Sequence, residues 1–506
     1  MDIAPGYSAF ASAYEEGRPS ALYVRLIADL ETPVSAFLKL AEGSENAFLL
    51  ESVQGGETRG RYSIIGLKPD VIWRCRDGKA EINRSARADA SRFVPDEDGG
   101  TPLAALKRLV KEAEMTLPPE LPPMAVGVFG FLGYDLVRQM ERLPAAPPDV
   151  LQLPEAIMLR PTVTAIFDNI RDEITVVTPV WPESGVSARA AYARAAERLQ
   201  DTVSDLERAG VPSSAPDVNA VLGPAESNTS HAEYLAIVEK AKEYIRAGDI
   251  FQVVPSQRFR RTFSLPPFAL YRALWRLNPS PFLYFLNFPG FAIVGSSPEI
   301  LVRLRDSKVT IRPIAGTRPR GTTPEEDKQL AAELMADPKE RAEHLMLLDL
   351  GRNDVGRVAQ IGTVRVTDQF FIERYSHVMH LVSNVEGVIR EGFDAVDALV
   401  AGFPAGTLSG APKVRAMEII DELEKEKRGV YAGAVGYFAA NGTMDTCIVL
   451  RTAVVKDGMM YVQAGGGVVA DSDPEAEFQE TVNKAKALMA AADEAVRYAS
   501  TPKRGQ

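Results

Sequence analysis

Short apolar runs separated by turn residues characterise the first part of the chain. Residues 47–50, 71–73 and 165–167 are runs of this kind, bounded by glycine, proline and aspartate. Such runs predict β-strands. One amphipathic stretch, residues 102–114, predicts a helical insertion. We therefore predict a β-rich amino-terminal domain over residues 20–180.

A change of pattern follows this region. Residues 187–209 are rich in alanine, glutamate and arginine and predict a helix, whereas the polar stretch after them has no periodicity up to Ser230. We therefore predict a helix and polar linker over residues 181–229, and a second, larger domain over residues 230–495.

The second domain mixes helical and strand patterns. Strands are predicted at residues 251–255, 282–286, 291–295, 434–439, 447–455 and 460–464. Helices are predicted at residues 231–247 and from residue 473 to about residue 498. Thr323, Pro324 and Glu326 form a predicted capping box, and Asp337 with Pro338 predicts a second helix start, with that helix ending at Gly351. The absence of strict strand–helix alternation favours an α+β fold.

Composition limits the kind of protein. The chain has 506 residues, 46% of them hydrophobic and 25% charged, which are values of globular proteins, and its net charge of −11 disfavours partners such as nucleic acid or anionic membranes. Residues 1–17 lack the pattern of an export signal, and no run is long enough to span a membrane. The two cysteines, Cys75 and Cys447, are expected to be free thiols. We expect a cytoplasmic protein.

Two pairs of glutamates are spaced for one helical face each. Glu340 and Glu343 lie three residues apart on one predicted helix, and Glu477 and Glu480 lie three apart on the last. Two such faces brought together would suit Mg²⁺, which prefers oxygen ligands. The alternative is that both pairs are solvated helix faces.

Several other positions could bind anions or move protons. The glycines at 465–467 follow an apolar strand and allow close approach of a ligand, or else form a tight bend. Arg451 could grip a carboxylate with its two-pronged guanidinium, or form a salt bridge at the rim. His377 and His380 lack the zinc-protease pattern, and Lys413 is misplaced for a nucleotide-binding loop.

The order and wording of ten segments resemble the chorismate-utilising enzymes, and among them the anthranilate synthase component I family. The segments are residues 49–52, 247–254, 278–281, 297–299, 313–321, 343–354, 374–380, 406–415, 445–449 and 465–467. The resemblance implies two roughly orthogonal antiparallel β-sheets flanked by helices, with residues 230–495 as the chorismate-binding catalytic domain. It also implies a reaction in which chorismate and ammonia give anthranilate and pyruvate with Mg²⁺, the first step of tryptophan biosynthesis.

The resemblance implies roles for individual residues. Glu343 and Glu480 would ligate the metal, with Glu340 and Glu477 acting through water. Glu299 would be the general acid for loss of the ring hydroxyl, and His380 with Thr407 would serve the second step, ring proton removal and pyruvate elimination. The implied substrate-binding residues are Gly316, Thr317, Tyr431, Arg451, Gly465, Gly466 and Gly467.

Two positions distinguish the relatives. Isochorismate and salicylate synthases carry a water-activating lysine where this chain has Gln252, and aminodeoxychorismate synthase has a lysine where this chain has Ala315. Both differences favour direct attack by ammonia at the ring carbon ortho to the carboxylate. An aminodeoxychorismate or aminodeoxyisochorismate synthase is the alternative, and a non-catalytic subunit that senses an aromatic ligand is a more distant one.

The resemblance also implies a partner and an inhibitor. Neither cysteine lies in the Gly-x-Cys-x-Gly turn of a glutaminase, so ammonia is expected from a separate glutamine amidotransferase in a hetero-oligomer. Ser52, Pro281, Phe282 and Leu283 resemble the family's tryptophan feedback site, although Phe282 and Leu283 replace its usual Tyr-Met pair. The alternative for these segments is a plain contact between domains.

Overall fold

The computed structural model describes residues 1–41, 43–54, 58–96, 100–208, 222–375 and 378–500. The α-helices of this part of the chain, numbered α1 to α11, are Tyr7–Glu15, Pro33–Ala41, Pro102–Glu112, Ala188–Glu207, His231–Arg246, Pro267–Leu277, Pro324–Ala336, Pro338–Val358, Ala395–Gly402, Lys413–Leu423 and Pro474–Ser500. The strands, numbered β1 to β23, are Ser20–Ile27, Ala47–Gln54, Thr58–Arg76, Lys79–Asn83, Val94–Pro95, Gly127–Leu132, Ala156–Asp168, Glu173–Val180, Glu226–Ser227, Gln252–Val253, Ser256–Thr262, Phe282–Phe288, Phe291–Ser297, Ile300–Arg305, Lys308–Ile311, Ile314–Pro319, Arg365–Arg374, Val378–Val388, Gly410–Ala411, Ala434–Ala439, Met444–Ile448, Thr452–Lys456 and Met459–Gly465.

The strands form two antiparallel series that share two long strands. The first series runs β1-β8-β7-β3-β2-β12-β13-β22-β23-β11. The second runs β4-β3-β7-β6-β20-β21-β14-β15-β18, with β16 and β17 also paired to β18. The β3–β7 register shifts between Pro69 and Val71, and there both strands pass from one series into the other. Because β-bulges bend strands, this irregularity lets one pair serve both sheets.

Alternating side chains place an apolar core between the two sheets. In β2, Phe48 packs inward against Phe129 of β6, with ring centroids 4.7 Å apart, while Leu49 faces the helices. Helices α2, α4, α6 and α11 cover the outer face of the first sheet, and α3, α8, α9 and α10 cover that of the second. The prediction of an α+β fold, with antiparallel sheets flanked by helices, is confirmed.

The two predicted domains contribute strands to both sheets. Strand β2 pairs with β12, where Glu51 lies opposite Leu283, and β6 pairs with β20. The boundaries at 20–180, 181–229 and 230–495 therefore stay a prediction about the sequence, and residues 209–221 of the linker lie outside the described part. None of the described helices is long and apolar enough to cross a membrane.

Three local predictions were wrong. Helix α8 continues through Gly351 to Val358, because buried side chains on both sides of the glycine, Leu348 and Val355, pack into the core. The predicted strand 447–455 is two strands, β21 and β22, because the backbone turns at Arg451, where φ is 49°. The capping box at α7 is half formed: Thr323 accepts from the Glu326 amide, but the Glu326 carboxylate bonds Thr322.

Candidate active site

Glu299 is a buried carboxyl at the start of β14. The Thr407 hydroxyl donates a hydrogen bond to its Oε1 at 3.1 Å. Burial raises the pKa of Glu299 to about 8, and this effect exceeds the opposite influence of the Thr407 hydrogen bond and of the positive charge on Arg451. Glu299 therefore carries a proton at neutral pH, as a general acid requires.

His380 on β18 lies opposite Thr317 of β16. Its Nδ1 is 3.0 Å from the Thr317 hydroxyl and 3.2 Å from the Gly316 carbonyl oxygen. Since a carbonyl oxygen only accepts hydrogen bonds, we assign the proton to Nδ1 and the lone pair to Nε2. Nε2 is buried and has no hydrogen-bond partner among the residues that the structure describes, and burial lowers the pKa of His380 to about 4. The ring is therefore a neutral proton acceptor; the neighbouring His377 lies outside the described residues.

Gly316 brings the backbone of β16 against a carboxylate. The β16–β18 register shifts between Ala315 and Thr317, and Gly316 has φ 72°, a conformation that side chains disfavour. A Cβ at Gly316 would lie 2.9 Å from Oε2 of Glu340. Gly316 and Thr317, two of the predicted substrate-binding residues, thus lie between His380 and helix α8.

Arg451 presents a half-buried guanidinium to the same region. Its left-handed backbone, φ 49°, makes the turn between β21 and β22. Its positive charge lowers the pKa of both Glu299 and His380, so it faces both groups. Among the residues that the structure describes, its side chain has no hydrogen-bonding or ion-pair partner. Arg451 is therefore available to an anionic ligand.

The glycine triplet forms a close-fitting backbone surface beside Tyr431. A Cβ at Gly465 would lie 3.0 Å from the Tyr431 hydroxyl. One at Gly466 would lie 2.7 Å from Oε2 of Glu477, and one at Gly467 would lie 2.6 Å from Nε2 of Gln252. Any side chain here would collide with a functional group, which explains the three glycines better than a simple bend.

The four predicted metal-site glutamates lie on two helices, and carboxylates of one helix influence those of the other. Glu340 and Glu343 are on α8, and Glu477 and Glu480 are on α11. Burial and then the charges of Glu340 and Glu480 raise the pKa of Glu343; burial, assisted by Glu480 and Glu343, raises that of Glu477 to about 7. The carboxylates of α8 and α11 are therefore close enough to repel one another.

The donor chemistry of these faces suits a hard cation. Oε2 of Glu477 is buried and has no hydrogen-bond partner in the described part of the chain, while its Oε1 accepts from Ser472 at 2.7 Å. Glu343 accepts an amide hydrogen bond from Gln252 at 3.1 Å. Within the described ranges, however, no group of three or more histidine, cysteine, aspartate or glutamate side chains is arranged to hold a metal ion. The metal assignment stays a prediction.

A separate cavity of about 730 Å³ lies between the sheets. All four residues of the predicted inhibitor site line it: Ser52, Pro281, Phe282 and Leu283. Asp445 also lines this cavity. Its Oδ2 accepts from Arg303 and Arg305, and its buried Oδ1 has no hydrogen-bond partner among the described residues. Pro298 and Ile300 belong to the cavity wall. Because these two residues flank Glu299, the cavity and the catalytic region share one segment of chain.

Two residues near the site were missed in the sequence. Tyr375 lines the cavity and meets the His380 ring edge-on, with centroids 5.4 Å apart. It belongs to the segment 374–380, so the resemblance could have indicated it. Arg428 is buried beneath Tyr431, yet it ends a run of alternating charges that is typical of a solvated surface.

Comparisons with known proteins agree on one group. The family model described as chorismate binding enzyme matches residues 47–490. The chain is 62% identical to anthranilate synthase component 1 of Cereibacter sphaeroides, over 97% of this chain and 98% of the relative. It is 50% identical to the protein of that name from Pseudomonas aeruginosa, over 92% and 94%. The crystal structure of anthranilate synthase component I from Streptococcus pneumoniae matches with a TM-score of 0.74 and 36% identity, covering 92% of this chain and 99% of that one.

Proposed function

Because the chain belongs to the chorismate-binding enzymes, and among them to the anthranilate synthase component I family, we propose that it aminates chorismate with ammonia and eliminates pyruvate to give anthranilate. The chain is accordingly a lyase. The observation that carries the proposal is the combination of a protonated acid, Glu299, a neutral acceptor, His380, and an unpaired cation, Arg451.

In the first step, Glu299 gives its proton to the departing ring hydroxyl, which leaves as water. The Thr407 hydroxyl and the backbone of Ile314 both bond the Glu299 carboxyl and hold it in place. Ammonia attacks the ring carbon ortho to the carboxylate, and the double bonds of the ring shift toward the carbon that loses water. Burial keeps Glu299 protonated near pH 7, which supplies the acid in its active form.

In the second step, Nε2 of His380 takes the proton from the ring carbon that bears the new amino group. The bond from the neighbouring ring carbon to the enolpyruvyl oxygen breaks, the electrons of the C–H bond complete the aromatic ring, and the released enolpyruvate gains a proton at its methylene carbon to become pyruvate. Gly316 and Thr317 hold Nδ1, which fixes the tautomer with its lone pair on Nε2. The enolpyruvyl carboxylate would be bound by Arg451, by the Tyr431 hydroxyl and by backbone amides of residues 465–467.

Magnesium completes the proposed site. Glu343 and Glu480 would hold it directly, and Glu340 and Glu477 would hold it through water; bound there, Mg²⁺ supplies positive charge that neutralises the ring carboxylate. The unpartnered Oε2 of Glu477 and the raised pKa of Glu343 support an ion between the helices.

Gln252 and Ala315 favour this reaction over the related ones. The Gln252 amide donates to Glu343 and has no basic nitrogen to activate water. Ala315 is buried opposite Leu381 and offers no amine for a covalent adduct with the ring. Ammonia is therefore the nucleophile that the site favours.

The finer parts of the proposal are a partner, an inhibitor and a compartment. Cys75 and Cys447 are free but buried, and burial raises the pKa of the Cys75 thiol to about 12, so neither serves as a glutaminase nucleophile. Ammonia would come from a separate glutamine amidotransferase bound in a hetero-oligomer.

Tryptophan would bind in the 730 Å³ cavity beside Ser52, with Oδ1 of Asp445, which has no partner among the described residues, available to its ammonium group. Free thiols agree with the cytoplasm.

The reaction can be tested on the purified chain. We expect chorismate, Mg²⁺ and an ammonium salt at alkaline pH to give the fluorescence of anthranilate and an equal amount of pyruvate. With glutamine as the only nitrogen source, the chain alone should give none. Isochorismate or 4-aminodeoxychorismate as the product would overturn the proposed reaction, and glutamine-dependent activity would overturn the need for a partner.

A further inference from the structure

A buried ion pair lies directly behind the proposed carboxylate-binding residues. Arg428 and Glu424 are 2% and 8% exposed. Nε and Nη2 of Arg428 donate to both carboxylate oxygens of Glu424, with distances of 3.0 and 2.6 Å. Because the guanidinium is planar, this paired contact fixes its orientation.

The remaining donors of Arg428 reach two other segments of the chain. Nη1 donates to the Leu408 carbonyl at 2.7 Å, and Nη2 donates to the Val254 carbonyl at 2.6 Å. Leu408 directly follows Thr407, and Val254 lies two residues after Gln252. One side chain therefore connects the segment that bonds Glu299 with the segment that bonds Glu343.

Glu424 extends these connections to the glycine triplet. Its Oε1 accepts from the backbone amide of Ser256 at 2.8 Å and from the Ser256 hydroxyl at 2.7 Å. Ser256 pairs with Gly465 across β11 and β23. Arg428 itself also contacts Tyr431: its guanidinium carbon lies 5.4 Å from the centroid of the Tyr431 ring, within the range of a cation–π contact.

The charges show what kind of role this pair can have. The carboxylate of Glu424 balances the charge of Arg428, whereas Arg451 has no such partner among the described residues and faces the site. A buried ion pair also adds little net stability, because desolvation offsets much of its attraction. Its distinctive contribution is geometric, since its directional bonds hold several segments at fixed positions.

We propose that Arg428, oriented by Glu424, is a positioning residue that holds Tyr431, Gly465 and the Thr407 segment around the enolpyruvyl carboxylate of the substrate. This inference rests on the proposed function. Arg428 touches neither substrate nor reacting atoms; it acts through Tyr431 and through the backbone of the segments it bonds.

The test compares Arg428→Lys with a matched control, Arg160→Lys. Two nitrogens of Arg160 donate to the carboxylate of Asp70, each at 2.8 Å. The guanidinium carbon of Arg160 also lies 4.1 Å from the centroid of the Trp181 ring. Arg160 belongs to the β3–β7 pair and, in the part of the chain that the structure describes, contacts none of the proposed site residues. At a temperature where circular dichroism shows both variants folded, we expect Arg428→Lys to lower kcat/KM for chorismate roughly 10- to 100-fold, mainly through KM. Arg160→Lys should match the wild type.

A double-mutant cycle with Tyr431→Phe separates a positioning effect of Arg428 on Tyr431 from a general loss of structure. If Arg428 acts through the Tyr431 hydroxyl, the effect of Arg428→Lys on KM should shrink when that hydroxyl is already absent. Glu424→Gln replaces Arg428→Lys in the cycle if the lysine variant does not fold. Equal losses in Arg428→Lys and Arg160→Lys, or fully additive effects with Tyr431→Phe, would overturn the inference. A wild-type chain that forms no anthranilate would overturn the proposed function instead.

Discussion

Glu299→Gln separates the catalytic use of a buried acid from its effect on stability. Glutamine keeps the shape of the side chain and can still accept from Thr407, but it has no proton to give. We therefore expect turnover to be lost, while chorismate binding stays close to that of the wild type. We also expect the variant to be more stable than the wild type at alkaline pH.

The pKa gives the size of both effects. With a pKa of about 8, roughly nine-tenths of Glu299 is protonated at pH 7, whereas at its ordinary 4.5 the fraction would be ~0.3%. Burial thus supplies an about 300-fold larger population of the acid form. Loss of a general acid typically costs roughly 10²- to 10⁴-fold in kcat.

The raised pKa of Glu299 favours catalysis but lowers the stability of the folded chain at alkaline pH. A pKa raised in the folded state means that the folded chain retains a proton that the unfolded chain releases between pH 4.5 and 8. Wild-type stability therefore falls across this window, by at most about 5 kcal/mol above pH 8. Glutamine is neutral throughout, so Glu299→Gln should equal the wild type near pH 4.5 and exceed it above pH 8.

Three measurements check this prediction. Anthranilate fluorescence gives kcat, calorimetric titration gives chorismate affinity, and thermal melts at pH 5 and pH 9 give stability. Thr407→Val serves as the comparison for stability only, because it removes a hydrogen bond to Glu299 but leaves the proton in place, and Thr407 is itself a predicted catalytic residue. Unchanged turnover in Glu299→Gln would refute the acid role, and equal melting temperatures at pH 9 would refute the raised pKa.

Three further predictions concern the inhibitor, the metal and the base. Ser52→Arg should abolish inhibition by tryptophan and leave uninhibited turnover unchanged, because the long side chain fills the cavity; inhibition curves that match the wild type would contradict a regulatory role of this cavity. Glu477→Gln should raise the Mg²⁺ concentration needed for half-maximal activity roughly 10- to 100-fold, measured by adding Mg²⁺ back after chelation; no change would count against its part in the metal site. Burial lowers the pKa of His380 to about 4, so kcat should not change with the protonation of His380 above pH 5 and should fall below pH 5 as the ring gains a proton. A pH–rate profile of the wild type checks this. The profile of His380→Asn should lack the fall in kcat that His380 causes.

Local patterns in the sequence predicted several of the helices and strands, because alternation and capping act over a few residues. They failed where distant packing decided the outcome. Gly351 ends helices in many contexts, but here buried neighbours such as Leu348 and Val355 keep α8 intact across it, at a cost of about 1 kcal/mol for the glycine. Arg451 splits an apolar run because its two halves join different sheets.

The candidate site was predictable to the extent that segments matched a family. Spacing alone placed the glutamates on α8 and α11, but it could not show that carboxylates of the two helices come close enough to repel each other. The state of Glu299 and the tautomer of His380 depend on burial and on partners from remote segments, which no local pattern contains. Arg428 gave no signal, because the charges that precede it suggest a solvent-exposed surface.

The passage of β3 and β7 through both sheets has a consequence for how the chain folds. A cut between residues 208 and 222 would separate β2 from β12 and β6 from β20, the strand pairs that join the two parts of the chain. Neither fragment could then bury the apolar face of its own strands. We expect the separate halves to aggregate, and co-expressed halves to assemble into an active enzyme by fragment complementation. The intact chain should melt in one cooperative transition, with loss of tryptophan binding and loss of turnover at the same temperature.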